Sequence, residues 1–176
     1  MHQPYVQLIE KEISVMKKAC ESEANHMGVV TLLSVGLIDE DHASMEGILQ
    51  CSQCDLSPTC NWKLNACPNL ASALKALRKL RVPVVVCESD LQPGTWKEVM
   101  EELRSLPDPP LLIVTSRGAD ERLWAEALNL GAYDVLAQPF DSMEVTRIVG
   151  MAWLRWKDRH AIRGGIRRDM ALASGI

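Results

Sequence analysis

Two sets of residues in this chain of 176 are of types that do chemistry. One is acidic. The apolar run VVVC at 84–87 ends in Glu88 and Asp90 ahead of a Gln-Pro-Gly turn, and the run VVTLLSV at 29–35 is followed by Asp39, Glu40 and Asp41. The question is which of these carboxylates has a task. The other set is sulfur. In CSQCDLSPTCNWKLNAC, Cys51, Cys54, Cys60 and Cys67 stand with two, five and six residues between them. A C-x₂-C pair lets two thiolates reach one tetrahedral Zn²⁺, and two further thiolates would close the site. Cys67-Pro68 also echoes a four-cysteine iron–sulfur motif. A redox switch through Cys51 and Cys54 and plain unreactive thiols, with Cys67 as a small core hydrophobe, stay open beside the metal reading.

Composition narrows the class. A hydrophobic fraction of 47% and a charged fraction of 24% belong to a globular chain, and the length suits one domain with extensions. The net charge of −4 gives no overall drive toward nucleic acid or anionic membrane. The C-terminal end is locally basic, with Arg155, Lys157, Arg159, Arg163, Arg167 and Arg168 against Asp158 and Asp169. Such a sprinkling reads as a solvated helix face, so nucleic acid is not an expected partner. No apolar run approaches a bilayer span, and MHQPYVQLIEKEI lacks the layout of a signal peptide, so a cytoplasmic protein with no membrane partner is expected. His2, His26, His42 and His160 show no mutual ligand spacing. The absence of G-x-S-x-G, P-loop and G-x-G-x-x-G patterns removes support for hydrolase, nucleotide-triphosphatase and dinucleotide-binding activities, and no enzyme is expected.

The elements that must position these residues follow from periodicity. Val6, Ile9, Ile13, Met16 and Cys20 fall at steps of three and four, which predicts an amphipathic N-terminal helix over 4–25, with 1–28 as helix and linker. Strands are predicted at 29–35, 61–67, 82–87, 111–116 and 133–137. Helices are predicted at 41–50 and 70–80, along the stripes Trp96, Val99, Met100, Leu103, Leu106 and Leu123, Trp124, Ala127, Leu128, and from Ser142 to about Arg159. That last helix buries Val145, Ile148, Val149, Ala152 and Trp156. Five strands that are apolar on both faces and alternate with helices need a parallel sheet covered on both sides. The expected fold is therefore α/β: a doubly wound, five-stranded parallel sheet in a three-layer sandwich over 29–157, with a cysteine-rich insertion at 51–60 and a basic tail at 158–176. In such folds the site lies beyond the C-terminal ends of the strands. Glu88, Asp90, the acids at 39–41, Thr115, Ser116 and Gln138-Pro139 all fall there.

Over about residues 29 to 157 the chain resembles the receiver domain of bacterial response regulators, the CheY-like variant of the flavodoxin-like fold. The segment PPLLIVTSRGADERLWAEALNLGAYDVLAQPFD carries most of the likeness. The resemblance implies two-component signal transduction or phosphorelay, an Asp at the end of strand three that accepts a phosphoryl group, and Mg²⁺ held by an acidic pair. It also implies a Thr or Ser after strand four and a Lys after strand five on the phosphoryl oxygens. A hard cation suits carboxylate oxygens, and an ammonium offsets the charge that builds up on the phosphoryl group. Glu40 and Asp41 match the acidic pair, Thr115 the switch hydroxyl, and Gln138 stands where the lysine belongs. Val135 stands in place of the family's aromatic switch residue. Aligning Leu91 and Gly94 with the D-x-x-L-P-x-G loop puts Glu88 at the acceptor position, whereas a second register makes Asp90 the acceptor.

An amide donates a hydrogen bond but brings no positive charge, and Glu is one methylene longer than Asp. The pattern reads as a pseudo-receiver, a single-domain response regulator that acts by protein contact. The other readings are a receiver phosphorylated on Asp90 with Mg²⁺, and a metal or redox sensor using the cysteines. The expected partners are a signalling protein, either a histidine kinase or a downstream effector, and a second copy of the chain as a homodimer. Trp124, with Trp153 or Trp156, is expected near the edges of the contact face built by helix four, strand five and helix five.

Overall fold

The computed structural model describes residues 29–36, 38–51 and 61–173, with side chains through residue 161. The expected N-terminal helix and most of the cysteine insertion, Cys54 and Cys60 included, lie outside the described residues. Among the described residues five strands alternate with five helices: β1 Val29–Val35, α1 Asp39–Cys51, β2 Asn61–Cys67, α2 Leu70–Leu77, β3 Val84–Glu88, α3 Trp96–Ser105, β4 Leu111–Ser116, α4 Glu121–Asn129, β5 Asp134–Ala137 and α5 Ser142–Ala173. The sheet order is β2-β1-β3-β4-β5, and every pairing is parallel. This is the doubly wound arrangement that strands apolar on both faces require.

The alternation of side chains along a strand divides the core in two. Leu33, Val35, Val85, Cys87, Leu112, Val114 and Val135 face α2, α3 and α4. Leu32, Val84, Val86, Ile113 and Leu136 face α1 and α5, where Met45, Leu49, Val145, Ile148, Val149 and Ala152 meet them. Helix starts are marked by side-chain caps. Asn69 and Ser72 form a capping box on α2, and Thr95 and Asp120 accept the backbone N–H groups of Glu98 and Leu123 at the starts of α3 and α4.

The second helix ends at Leu77 and not residue 80, and β5 starts at Asp134 and not residue 133; three further differences have a plain physical reason. First, α1 starts at Asp39, so the three acids lie inside its first turn, where the positive end of the helix dipole favours them. Second, β3 spans 84–88 and not 82–87, because Pro83 has no N–H to give the sheet; its carbonyl accepts from Leu111 N (2.9 Å). Third, α5 does not stop near Arg159 but continues to Ala173. The apolar stripe ends near Trp156, but the segment contains no proline, and Gly164 and Gly165 weaken a helix without ending it.

Trp156 is also placed differently from the expected contact face. It is buried (5% exposed), beside Leu77, Val82, Leu106 and Pro110 at the N-terminal ends of the strands. His160 stacks on it at 3.7 Å, and the Arg81 guanidinium lies 4.7 Å above its ring. Trp153 is half-buried against the α1/α5 core, edge-on to Trp62 at 6.0 Å. Trp124 is half-buried as well, in the first turns of α4.

Candidate functional site

Strand parity assembles the site. Val86, Ile113 and Leu136 point to the α1/α5 side. Two residues further along the same strands, or just past their ends, Glu88, Thr115 and Gln138 keep that direction. Glu88 is the last residue of β3 and pairs in register with Thr115, which in turn pairs with Leu136. The three side chains meet: Thr115 Oγ1 donates to Glu88 Oε2 at 3.4 Å, and Gln138 Nε2 donates to the same oxygen at 3.3 Å. Both contacts are long, and Thr115 Oγ1 also lies 3.5 Å from the Cys87 carbonyl. Asp90 lies outside this group, exposed on the turn after β3.

Burial pushes the Glu88 carboxyl above its ordinary range. The hydrogen bond from Gln138 opposes that rise, the Asp41 carboxylate adds to it, the Thr115 hydroxyl opposes it and Asp90 adds to it. Gln138 is nearly enclosed at 6% exposed, and its Oε1 has no hydrogen-bond partner among the described residues. Val135 is fully buried in the core.

The acidic pair is split. Asp41, from the first turn of α1, has a side chain only 13% exposed and receives a hydrogen bond from Arg117 Nη2 at 2.6 Å. Glu40 is exposed, and the carboxylates that bear on Glu88 are Asp41 and Asp90. As placed, these residues do not fit a divalent cation. Mg²⁺ keeps several waters but needs one or two free carboxylates to hold it, and here a guanidinium takes Asp41 Oδ2 while Glu40 faces solvent. Among the described residues no three of His, Cys, Asp and Glu stand close enough to hold a metal ion.

Two residues went unmarked by the sequence reading: Arg117 and Ser89. Ser89 Oγ donates to Ser116 Oγ at 2.9 Å, and Ser116 Oγ accepts from Gly118 N at 3.2 Å. Thr115, Ser116 and Arg117 are therefore tied in succession to Glu88, Ser89 and Asp41. Arg117 follows the switch hydroxyl by two places, which was a usable signal. Nothing local announced that it reaches a carboxylate 76 residues earlier.

Of the four cysteines, the structure describes Cys51 and Cys67, and these two stand apart. Cys51 is exposed at the end of α1, where β2 begins, whereas Cys67 is buried at the far end of β2. Seven residues of strand separate the two ends by about 20 Å, far beyond two thiolates on one tetrahedral ion. Burial pushes the Cys67 thiol up, against a hydrogen bond with Ser72, as expected of a core thiol.

Comparison with family models and with curated proteins gives no match. Solved structures do match. The chemotaxis response regulator CheY4 of Vibrio cholerae aligns with TM-score 0.57 and 15% identity over 71% of this chain and 99% of its own. A CheY-like receiver domain protein from Methanospirillum hungatei JF-1 gives 0.62 and 13% over 75% and 99%. A response regulator from Chloroflexus aurantiacus J-10-fl gives 0.63 and 19% over 72% and 99%. The fold is that of the CheY-like receiver domain. Among the described residues no helix is long and apolar enough to cross a membrane.

Proposed function

We propose that this chain is a pseudo-receiver: a signalling module of the receiver type that works through protein contacts and takes up no phosphate. One observation carries the reading. The Glu88 carboxylate already holds the hydroxyl of Thr115 and the amide of Gln138, the two groups that in a receiver would meet phosphoryl oxygens. Its extra methylene brings negative charge to a place that a phosphorylated aspartate would reach. Gln138 adds no positive charge to draw in a phosphodonor, and buried Val135 leaves no aromatic rotamer for Thr115 to move. The module's task is then to be recognised, by a kinase, an effector or a second copy. Half-buried Trp124 and exposed Leu128 and Met143, on α4 and at the start of α5, offer apolar contact for that purpose.

The test is incubation of the full chain with a small phosphodonor and Mg²⁺, read by intact-mass and peptide mass spectrometry. No acyl phosphate is expected on Glu88 or Asp90. A stable phosphate on either residue overturns the reading.

A further inference from the structure

We propose that Arg117 is a built-in cation that stands in for the divalent metal of this fold. The observations are geometric. Arg117 leaves the C-terminal end of β4 just past Thr115 and reaches Asp41 Oδ2 at 2.6 Å. Asp41 is the acid of the 39–41 cluster that turns inward, and its charge bears on Glu88. The bond also crosses elements, joining the loop after β4 to the first turn of α1.

The guanidinium holds Asp41 Oδ2, so a metal at Asp41 would have to displace it or share the carboxylate against a neighbouring like charge. The planar fork of Arg is permanently charged and weakly hydrated, so it can occupy a carboxylate site without a shell of ordered water. Mg²⁺ keeps most of its waters but still needs an inward-facing carboxylate to hold it, and the one that α1 offers, Asp41, is already engaged by Arg117. The pocket is thereby charge-compensated from within, and the Thr115 loop is held to α1 at any Mg²⁺ concentration. The inference needs the Arg117–Asp41 geometry and not the fate of phosphate at Glu88, so the two readings fail separately.

The experiment uses Mn²⁺ alone as a paramagnetic probe on the ¹⁵N-labelled full chain. In the unmodified protein, Mn²⁺ should cause no selective, saturable broadening of the Asp41, Glu88 and Asp90 amides. Arg117→Ala frees Asp41 and should create saturable broadening at those amides, a gain of about tenfold or more in apparent affinity. Arg117→Lys keeps the charge but loses the guanidinium fork, and should bind Mn²⁺ more weakly than Arg117→Ala. Arg117→Ala with Asp41→Asn should lose the gained site. Circular dichroism checks that each variant is folded, as expected for a side chain that is 59% exposed. Three results overturn the proposal: equal broadening in the unmodified protein and Arg117→Ala, no broadening in Arg117→Ala, or Arg117→Lys binding as Arg117→Ala does. A phosphate on Asp90 would overturn the pseudo-receiver reading alone.

Discussion

Substituting alanine at three glycines tests the packing that shapes the pocket, because the structure assigns each a different sign. Gly36 ends β1 with φ +79°, and its N–H donates to the Cys67 carbonyl at 2.9 Å. A Cβ there would lie 2.5 Å from Leu91 Cδ1 and 3.5 Å from Glu88 Cβ. The left-handed backbone costs a non-glycine residue about 1–2 kcal/mol. Leu91 is only 3% exposed, so its forced displacement adds about 1–3 kcal/mol of overpacking strain. Gly36→Ala should therefore lose about 2–5 kcal/mol, or roughly 6–20 °C in melting temperature for a domain of this size. Gly47 sits in α1 with open space around it, and Gly47→Ala should gain about 0.5–1 kcal/mol from helix propensity. Gly118 also meets open space, and its alanine variant should stay within about 0.5 kcal/mol of the parent. Thermal and urea denaturation read the three stabilities, and amide shifts of Glu88 and Asp90 show whether the turn beyond β3 moves. The reasoning is refuted if Gly36→Ala melts with the parent, or if it cannot be told from Gly118→Ala.

Two further outcomes follow from charge and burial. The Glu88 carboxyl is held above its ordinary range, so its neutral form stabilises the fold fully below the unfolded carboxyl's pKa of about 4.3, and that contribution is lost as pH rises through the folded value. Glu88→Gln should therefore gain stability relative to the parent between pH 4 and pH 7.5, measured by urea unfolding at both; a gap that does not change with pH contradicts the placement. Thiol labelling of native protein at neutral pH should modify Cys51, which is exposed, and spare Cys67 and Cys87. The Cys87 thiol is pushed up to about 12 by burial, with the Glu88 charge adding to the shift. Modification of Cys87 before unfolding, located by peptide mass spectrometry, would show that the sheet centre is open.

Much of the architecture was legible because hydrophobic periodicity is a local record of burial. VVTLLSV, VVVC and LLIVTS could be satisfied only between two helical layers, and the stripes that follow them supply those layers. Glu88 could be placed from the run that ends in it, because side chains alternate along a strand. The extent of α5 was less legible, since the apolar stripe stops near Trp156 while the backbone has no reason to stop there.

The sequence by itself determined which layers exist, where the strands end and therefore which acids, hydroxyl and amide gather at the C-terminal edge. Only tertiary structure decided which of them meet. Glu88 and not Asp90 faces Thr115 and Gln138, Asp41 turns inward while Glu40 faces water, Arg117 crosses to α1, and Cys51 closes α1 in solvent while Cys67 is buried at the end of β2. The physical reason is range. Periodicity is set within a few residues by backbone geometry, whereas a pocket is made of contacts between segments dozens of residues apart, whose reach and direction are fixed only once the strands have paired in register.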